Sequence, residues 1–170
     1  MKIESHVFDK EHSRTIEKMA DGLVLLKIWL SPKRVGMNYH YLFENHKKPP
    51  LDIALNPDNH EIEYVSFILQ DEKIAVIDSS ITIPLLESSL RIFDDKFDDK
   101  NVYLKAEGDF IAKIYIRNLY ILNKIDFTET VGYKLSESSY ILFSNNNFVG
   151  FLLKDLSDFE MGTLREAHVL

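Results

Sequence analysis

The stretch that decides the fold is LDIALNPDNHEIEYVSFIL, residues 51–69. Its centre, Asn-Pro-Asp-Asn at 56–59, has the residues that a type I turn prefers: a side-chain acceptor at the first position and proline's fixed φ at the second. We therefore predict a hairpin with a four-residue loop at 57–60. This loop sets the register, because apolar residues then face each other on one side of the hairpin. The predicted pairs are Asn56 with Glu61, Leu55 with Ile62, Ala54 with Glu63, and Ile53 with Tyr64.

The second strand of this hairpin changes character beyond Tyr64. Val65, Phe67 and Leu69 place apolar side chains on one face, while Ile68 places another on the opposite face. A strand that is apolar on both faces is usually buried on both. We therefore predict that it lies in the middle of a sheet.

Composition limits both the architecture and the partners. A chain of 170 residues with 45% hydrophobic content predicts one globular domain spanning residues 1–170. The chain has no cysteine, its N-terminal residues are charged, and no apolar stretch approaches the roughly 18 residues of a membrane span, so we expect a soluble cytoplasmic protein. The net charge of −7 disfavours nucleic acid and anionic membranes and favours a basic protein partner.

Other extended segments follow from alternation and from turn residues. Residues 73–78 would add a third strand to an antiparallel meander, and 107–109 would form a three-residue turn between two strands. Residues 11–20 fit either a short helix or a strand that leads into a hairpin turn at Asp21-Gly22. Strands are predicted at 2–8, 23–30, 37–44, 73–78, 101–106, 110–117, 119–127, 140–143 and 148–153, with 145–147 reversing the chain between the last two.

One helix is predicted from apolar spacing. Leu86, Leu90, Phe93 and Phe97 lie four, three and four residues apart, and Pro84 near the start suits a first helical turn. We therefore predict an amphipathic helix near 84–97 that packs on the sheet. Ser157 and Glu160 have capping-box spacing, but Gly162 follows so soon that only a turn or two of helix is expected there. The predicted fold class is α+β and β-rich, with a mainly antiparallel sheet built as a meander of hairpins.

The sequence contains none of the common catalytic or nucleotide-binding motifs. Its six histidines show no spacing that would place two of them on adjacent helical turns, the arrangement most typical of zinc enzymes. We therefore expect no metal site, no cofactor and no catalytic residue of a recognisable kind.

Acidic residues cluster at the end of the predicted helix, at Asp94, Asp95, Asp98 and Asp99. A helix would spread these carboxylates over its exposed side, whereas a cation site needs oxygens that converge. The cluster is typical of a solvated face, and it is also a candidate surface for docking a basic partner.

Aromatic residues repeat at every second position in Tyr39, Tyr41 and Phe43. This pattern favours the buried face of a sheet, although tyrosine is also enriched in binding surfaces, so a partner-binding role stays open for all three. Trp29 is also interpreted as a core residue rather than as a platform for a ligand.

Two functional hypotheses follow. The first is a non-enzymatic cytoplasmic protein-binding domain. The small size, acidity and lack of cysteine resemble the general run of bacterial immunity or inhibitor proteins. This similarity of composition implies a protein that binds and neutralises a basic partner. The alternative is a small-ligand or enzyme site in the mouth of a curved sheet, formed by His40, Glu44 and Glu63 with Tyr39 or Tyr41. A pocket with converging polar groups would favour the alternative, and a flat acidic or aromatic patch would favour the first.

Overall fold

The computed structural model describes residues 1–6, 13–31, 36–124 and 129–170. These residues form fifteen strands and one helix. The strands are mostly antiparallel and the helix packs on them, so the predicted α+β, β-rich class is confirmed. In chain order the elements are β1 (Lys2–His6), β2 (Ser13–Ala20), β3 (Leu23–Trp29), β4 (Tyr39–Glu44), β5 (Leu51–Leu55), β6 (Ile62–Gln70), β7 (Ala75–Val76), β8 (Leu85–Leu86), β9 (Ser89–Phe93), β10 (Tyr103–Glu107), β11 (Phe110–Tyr115), β12 (Asn118–Asn123), β13 (Thr130–Ser136), β14 (Ser139–Ser144), β15 (Asn147–Leu153) and α1 (Asp158–Glu166).

Two large sheets pack face to face. Sheet I has six strands in the order β10-β4-β5-β6-β3-β2, and sheet II has seven in the order β7-β11-β12-β15-β14-β13-β8. A separate two-stranded ribbon pairs β1 with β9. One hydrophobic cluster contains inner-face residues of both sheets, for example Phe67 of sheet I and Phe151 of sheet II. The alternating inner residues of the two sheets therefore bury each other, as in other sheet-on-sheet packings.

The hairpin of β5 and β6 has the predicted tip and a different register beyond it. Leu55 pairs with Ile62, and the Asn56 amide donates to the Glu61 carbonyl at 2.9 Å, as predicted. A β-bulge at Glu63 then shifts the ladder by one residue, so that Ala54 faces Tyr64 rather than Glu63. The central position of β6, between β5 and β3, is confirmed. The bulge arises because the apolar residues of β6 change parity, from Ile62 to Val65, and one extra residue brings both sets to the core.

The predicted helix near 84–97 is wrong. The segment forms β8 and β9 and then turns, and β9 pairs with β1 while Arg91 forms a bridge to Glu61. Leu90 and Ile92 are buried, whereas Leu86 is exposed, so the core side of this segment has a period of two. Pairing of β9 with β1, a strand about eighty residues earlier, outweighed the helical spacing of the apolar residues. Local propensity gives no information about a contact between such distant segments.

The single helix of the described residues is α1. Its start is as predicted, with the Ser157 hydroxyl accepting from the Glu160 amide and the Glu160 carboxylate accepting from the Ser157 amide. It extends past Gly162 because Met161 and Leu164 are buried in the core and hold the second turn. Among the described residues, no helix has the length and apolar composition that a membrane span requires.

A buried ion pair connects α1 to the edge of sheet I. Arg14 of β2 donates through Nε to Glu160 Oε1 at 2.7 Å and through a terminal nitrogen to Oε2 at 2.9 Å. Burial alone would raise the pKa of Glu160, but the hydrogen bonds from Arg14 and from the Ser157 amide lower it. Glu160 therefore caps its helix and ties it to β2 at the same time.

The segment left open at 11–20 is a strand from residue 13 onward. Ser13–Ala20 forms β2, which pairs with β3 through the turn at Asp21-Gly22, where Gly22 has a φ of 73°. Residues 11 and 12 lie outside the described residues, as do residues 7–8 of the first predicted strand and 125–127 of the predicted 119–127 strand.

Two connections differ from the predicted meander. The 73–78 segment contributes only β7, which pairs in parallel with β11 of sheet II and does not extend the hairpin of sheet I.

Residues 107–109 do not join paired strands: β10 pairs in parallel with β4, and β11 pairs with β12. The chain crosses between sheets at Gly108, where an added Cβ would lie 2.6 Å from the Phe110 ring. A side chain at position 108 would therefore collide with the Phe110 ring. The turn predicted at 145–147 is confirmed, with Asn145 and Asn146 both at positive φ between β14 and β15.

Candidate functional site

The candidate site is a cleft of about 530 Å³ on the face of sheet I that points away from sheet II. We call it the outer cleft. It lies where β3 ends and where β4, β6 and β10 begin. The lining residues that bear on its chemistry are Lys27, Trp29, Asn38, His40, Glu63, Tyr64 and Tyr103.

Strand register brings the aromatic residues of the cleft together. Tyr103 faces His40, His40 faces Ala54, Ala54 faces Tyr64, and Tyr64 faces Trp29, which makes one row across five strands. The bulge at Glu63 is what places Tyr64 in this row. Because Ala54 has only a methyl group, the rings of His40 and Tyr64 approach each other above it, with centroids 6.2 Å apart.

Two aromatic pairs form the walls of the cleft. On one side Tyr103 stacks on His40, with centroids 4.9 Å apart and planes 20° apart. On the other side Trp29 and Tyr64 have centroids 5.1 Å apart, and Lys27 Nζ lies 3.9 Å from the Trp29 centroid and 4.2 Å from that of Tyr64. The second wall thus already holds a cation over aromatic faces, at distances typical of cation–π contacts.

A hydrogen-bond network fixes the orientation of His40. Its Nδ1 lies 2.9 Å from Asp52 Oδ1, and the Tyr64 hydroxyl donates to Asp52 Oδ2 at 3.1 Å. Burial, together with the nearby Asp52 charge, raises the pKa of the Tyr64 hydroxyl, so that Tyr64 remains a donor at neutral pH. Since the Asp52 carboxylate can only accept, Nδ1 of His40 is the donor in this contact, and Nε2 is the ring nitrogen without a hydrogen bond to another described residue.

Glu63 is the most unusual residue of the cleft. The bulge directs its carboxylate to the same face as the Tyr64 ring, and both side chains line the cleft. Glu63 is only 5% exposed, yet its side chain makes no hydrogen bond or ion pair with another described residue. Asn38 Oδ1 is also buried and has no hydrogen-bond partner there. Both are acceptors, so the cleft complements a group that donates hydrogen bonds.

Of the residues predicted for a ligand site, His40 and Glu63 come together and Glu44 does not. Glu44 lies four residues further along β4 and pairs with Lys105 at 3.1 Å, outside the outer cleft. Tyr39 and Tyr41 are on the opposite face of β4 from His40 and do not line the outer cleft, because neighbouring residues of a strand point to opposite faces.

The aromatic residues of the inner face of β4 lie in the core, as the favoured interpretation predicted. Tyr41 and Phe43 are 5% and 7% exposed, and Tyr39 stacks on Phe97 with centroids 4.6 Å apart. Their burial leaves little surface that a partner could contact.

The acidic residues at 94–99 lie in turns after β9 rather than on a helix. Asp94 is half-buried: it accepts from the Tyr41 hydroxyl and lies 3.3 Å from the Met1 amino group. Burial would raise the pKa of Asp94, but the hydrogen bonds from Tyr41 and from the Lys96 amide lower it.

The other three carboxylates of this run differ in their contacts. Asp98 accepts from the amides of Lys100 and Asn101. Asp95 and Asp99 are exposed and make no hydrogen bond or ion pair with other described residues, so these two keep their carboxylates available to a partner.

Several cleft residues were missed from the sequence. Trp29 was assigned to the core, although Leu26 and Ile28 alternate with it and carry the core face of β3. Lys27 shares the outer face with Trp29, and this charged neighbour was the available signal. Asp52, Asn38, Tyr64 and Tyr103 gave no local signal, because they meet only through pairing between distant strands.

The chemistry of the cleft is that of aromatic faces and hydrogen-bond acceptors. Within the described ranges, no group of three or more His, Asp or Glu side chains is arranged to hold a metal ion. Compared with known proteins, the chain matches no family model and no curated protein.

Proposed function

We propose that this protein binds a small organic ligand in the outer cleft. The observation that carries the proposal is Glu63: the residue is 5% exposed, its side chain lines the cleft, and its carboxylate has no partner among the described residues. An ionised carboxylate removed from water is costly unless it is paired. A ligand that donates to Glu63 would offset this cost on binding.

The form of the cleft supports a ligand of modest size. Its volume of about 530 Å³ lies within the usual range of ligand sites, which are mostly apolar with a few placed polar groups. The aromatic walls are built on paired strands and are held by the Asp52 network, so the cleft needs no large rearrangement to receive a ligand.

Trp29 provides the experiment. It is the only tryptophan of the chain and forms part of the cleft wall, so its fluorescence should report occupancy. The protein would be titrated with a library of small amines, guanidines, sugars, carboxylic acids and phosphates. We expect a saturable change with at least one compound, and at least a tenfold weaker response to it in Glu63→Gln. Glu137→Gln, an exposed position outside the cleft, is the matched control and should bind like the wild type. The proposal is wrong if no compound gives a saturable change or if Glu63→Gln binds with unchanged affinity.

A second candidate function is docking of a basic protein partner, which the net charge predicts. The observation that favours it is the pair of exposed carboxylates of Asp95 and Asp99, which make no hydrogen bond or ion pair within the part of the chain that the structure describes. Such charges act mainly by steering association, and salt weakens that effect. The cysteine-free composition supports a cytoplasmic setting for either function.

The docking function is tested with the double variant Asp95→Asn/Asp99→Asn. The variant leaves the bonds of Asp94 and Asp98 in place, so stability should change by less than about 0.5 kcal/mol. Association with a basic partner isolated on the immobilised protein should slow and lose part of its salt dependence. Unchanged rates and salt dependence would show that these carboxylates are only a solvated surface.

A further inference from the structure

We infer that the ligand of the outer cleft is an organic cation with N–H donors, a guanidinium or a primary ammonium group. The inference rests on the proposed function and specifies the class of ligand. It is carried by two acceptors of the cleft: Asn38 Oδ1, which is buried without a partner among the described residues, and the Glu63 carboxylate, which lines the cleft and makes no hydrogen bond or ion pair with them. Both can only accept hydrogen bonds, so a ligand that satisfies both must supply at least two donors.

The charge balance of the cleft selects a cation over a neutral donor. Glu63 and Asp52 bring two carboxylates to the cleft and its wall, and Lys27 is the one lysine or arginine among the described residues that line the cleft. The Lys27 ammonium lies over the Trp29 and Tyr64 rings. A positive ligand would therefore form an ion pair with the Glu63 carboxylate at low solvent exposure, where such a pair is stronger than in water.

The aromatic walls favour the same class of ligand. The Lys27 ammonium already occupies the Trp29 and Tyr64 faces, so the stacking surface left for a ligand is the other wall. The opposite wall is a flat stack of His40 and Tyr103, and Tyr103 is 57% exposed. A guanidinium is planar and carries its donors in its plane, so it can stack on such a wall while its N–H groups point to carboxylate and amide oxygens at the edge.

The experiment compares a cation with a neutral compound of the same shape. Ethylguanidinium and ethylurea are both planar N–H donors, and only the first is charged; methyl glucoside serves as a neutral polyol. Each is titrated into the wild type, Glu63→Gln, Asn38→Ala and Glu137→Gln, with Trp29 fluorescence and the Trp29 indole N–H resonance as readouts.

We expect saturable binding of ethylguanidinium, at least tenfold weaker binding of ethylurea, and at least a tenfold loss of affinity for ethylguanidinium in Glu63→Gln. Asn38→Ala should weaken it several-fold, and Glu137→Gln should match the wild type.

The outcomes separate this inference from the proposed function. If ethylurea or methyl glucoside binds as tightly as ethylguanidinium, or if only a neutral or anionic library compound binds, the cation class is wrong and the ligand cleft stands. If no compound in the library binds, the proposed function fails and the inference fails with it. Thermal midpoints of both cleft variants show whether they are folded; should Glu63→Gln not fold, the result for Asn38→Ala decides, and unchanged ethylguanidinium affinity there overturns the inference.

Discussion

At the scale of single residues, the position of Glu63 depends on one extra residue in a strand. The sequence carried a signal for it, because the apolar positions of β6 change from even to odd numbers between Ile62 and Val65. We interpreted this change as a strand apolar on both faces, and the central position that followed from it was right. The alternation alone does not show where the extra residue is inserted, since a bulge and a two-faced strand give similar patterns. His40 and Glu63 both line the outer cleft, and the bulge that brings Glu63 there could not be located from the sequence.

The unpaired carboxylate predicts an effect on stability as well as on binding. Replacing Glu63 with Gln removes a buried charge and keeps the size of the side chain, so the variant should be as stable as the wild type or more stable by up to about 1 kcal/mol. Urea unfolding at pH 7, followed by far-UV circular dichroism, measures the difference. A loss of 1 kcal/mol or more would mean that Glu63 supports the fold itself rather than a ligand.

Two glycines provide a matched pair of substitutions with opposite outcomes. Gly150 has a φ of 145°, and an added Cβ would lie 1.9 Å from the Ile121 carbonyl oxygen of the neighbouring strand. Gly150→Ala should therefore cost more than about 2 kcal/mol. Gly162 is inside α1, and beyond its chain neighbours and the backbone of its own helix nothing lies within 4 Å of the Cβ position, so Gly162→Ala should stabilise the protein by about 0.5 to 1 kcal/mol. Equal effects in urea unfolding would show that the backbone at Gly150 is free to relax.

At the scale of elements, the sequence predicted those contacts that are close along the chain. The hairpins of β5 with β6 and of β14 with β15 follow from turn residues and alternation within about twenty residues. The pairs β1 with β9 and β10 with β4 join segments about sixty to ninety residues apart. No local pattern specifies such partners, and this is why the 84–97 helix and the 107–109 hairpin were predicted wrongly. The outer cleft is built from strands of both kinds, so its residues could be only partly identified.

The link between α1 and β2 predicts a pH-dependent contribution to stability. The pKa of Glu160 lies below its ordinary value of 4.5, so the folded state favours the ionised carboxylate more than the unfolded chain does. This contribution is complete above about pH 5 and is lost as the pH falls through the lowered pKa. Glu160→Gln should cost about 2 kcal/mol at pH 7, because it leaves Arg14 without its carboxylate.

The difference between wild type and Glu160→Gln should then shrink as the pH is lowered from 5 to 3, because the wild type protonates the same group. Urea unfolding at three or four pH values measures it, with Glu137→Gln as a control of equal charge change at an exposed position. A difference that stays constant over this range would show that the fit of the side chain, and not its charge, holds α1 to β2.

At the scale of the whole molecule, one hydrophobic cluster takes residues from sheet I, sheet II and α1. Each sheet has an apolar inner face, and neither could bury that face alone. The single domain expected for residues 1–170 remains a prediction, and the shared core gives it a physical reason: separating the sheets would expose both inner faces to water.

This arrangement predicts that the two sheets unfold together. Trp29 is on sheet I and is the only tryptophan, so its fluorescence follows that sheet. The backbone amides of Ile121 and Leu142 belong to strands of sheet II, and their nuclear magnetic resonance signals follow the other half of the core. Because the inner faces depend on each other, both probes should give the same urea midpoint within about 0.2 M, as expected for an all-or-none transition.

Leu26→Ala, which removes side-chain volume where Leu26 of sheet I meets Ile121 of sheet II, should lower both midpoints by the same amount. If the midpoint of sheet I falls while that of sheet II stays in place, the sheets are separate folding units and the single-domain prediction is wrong.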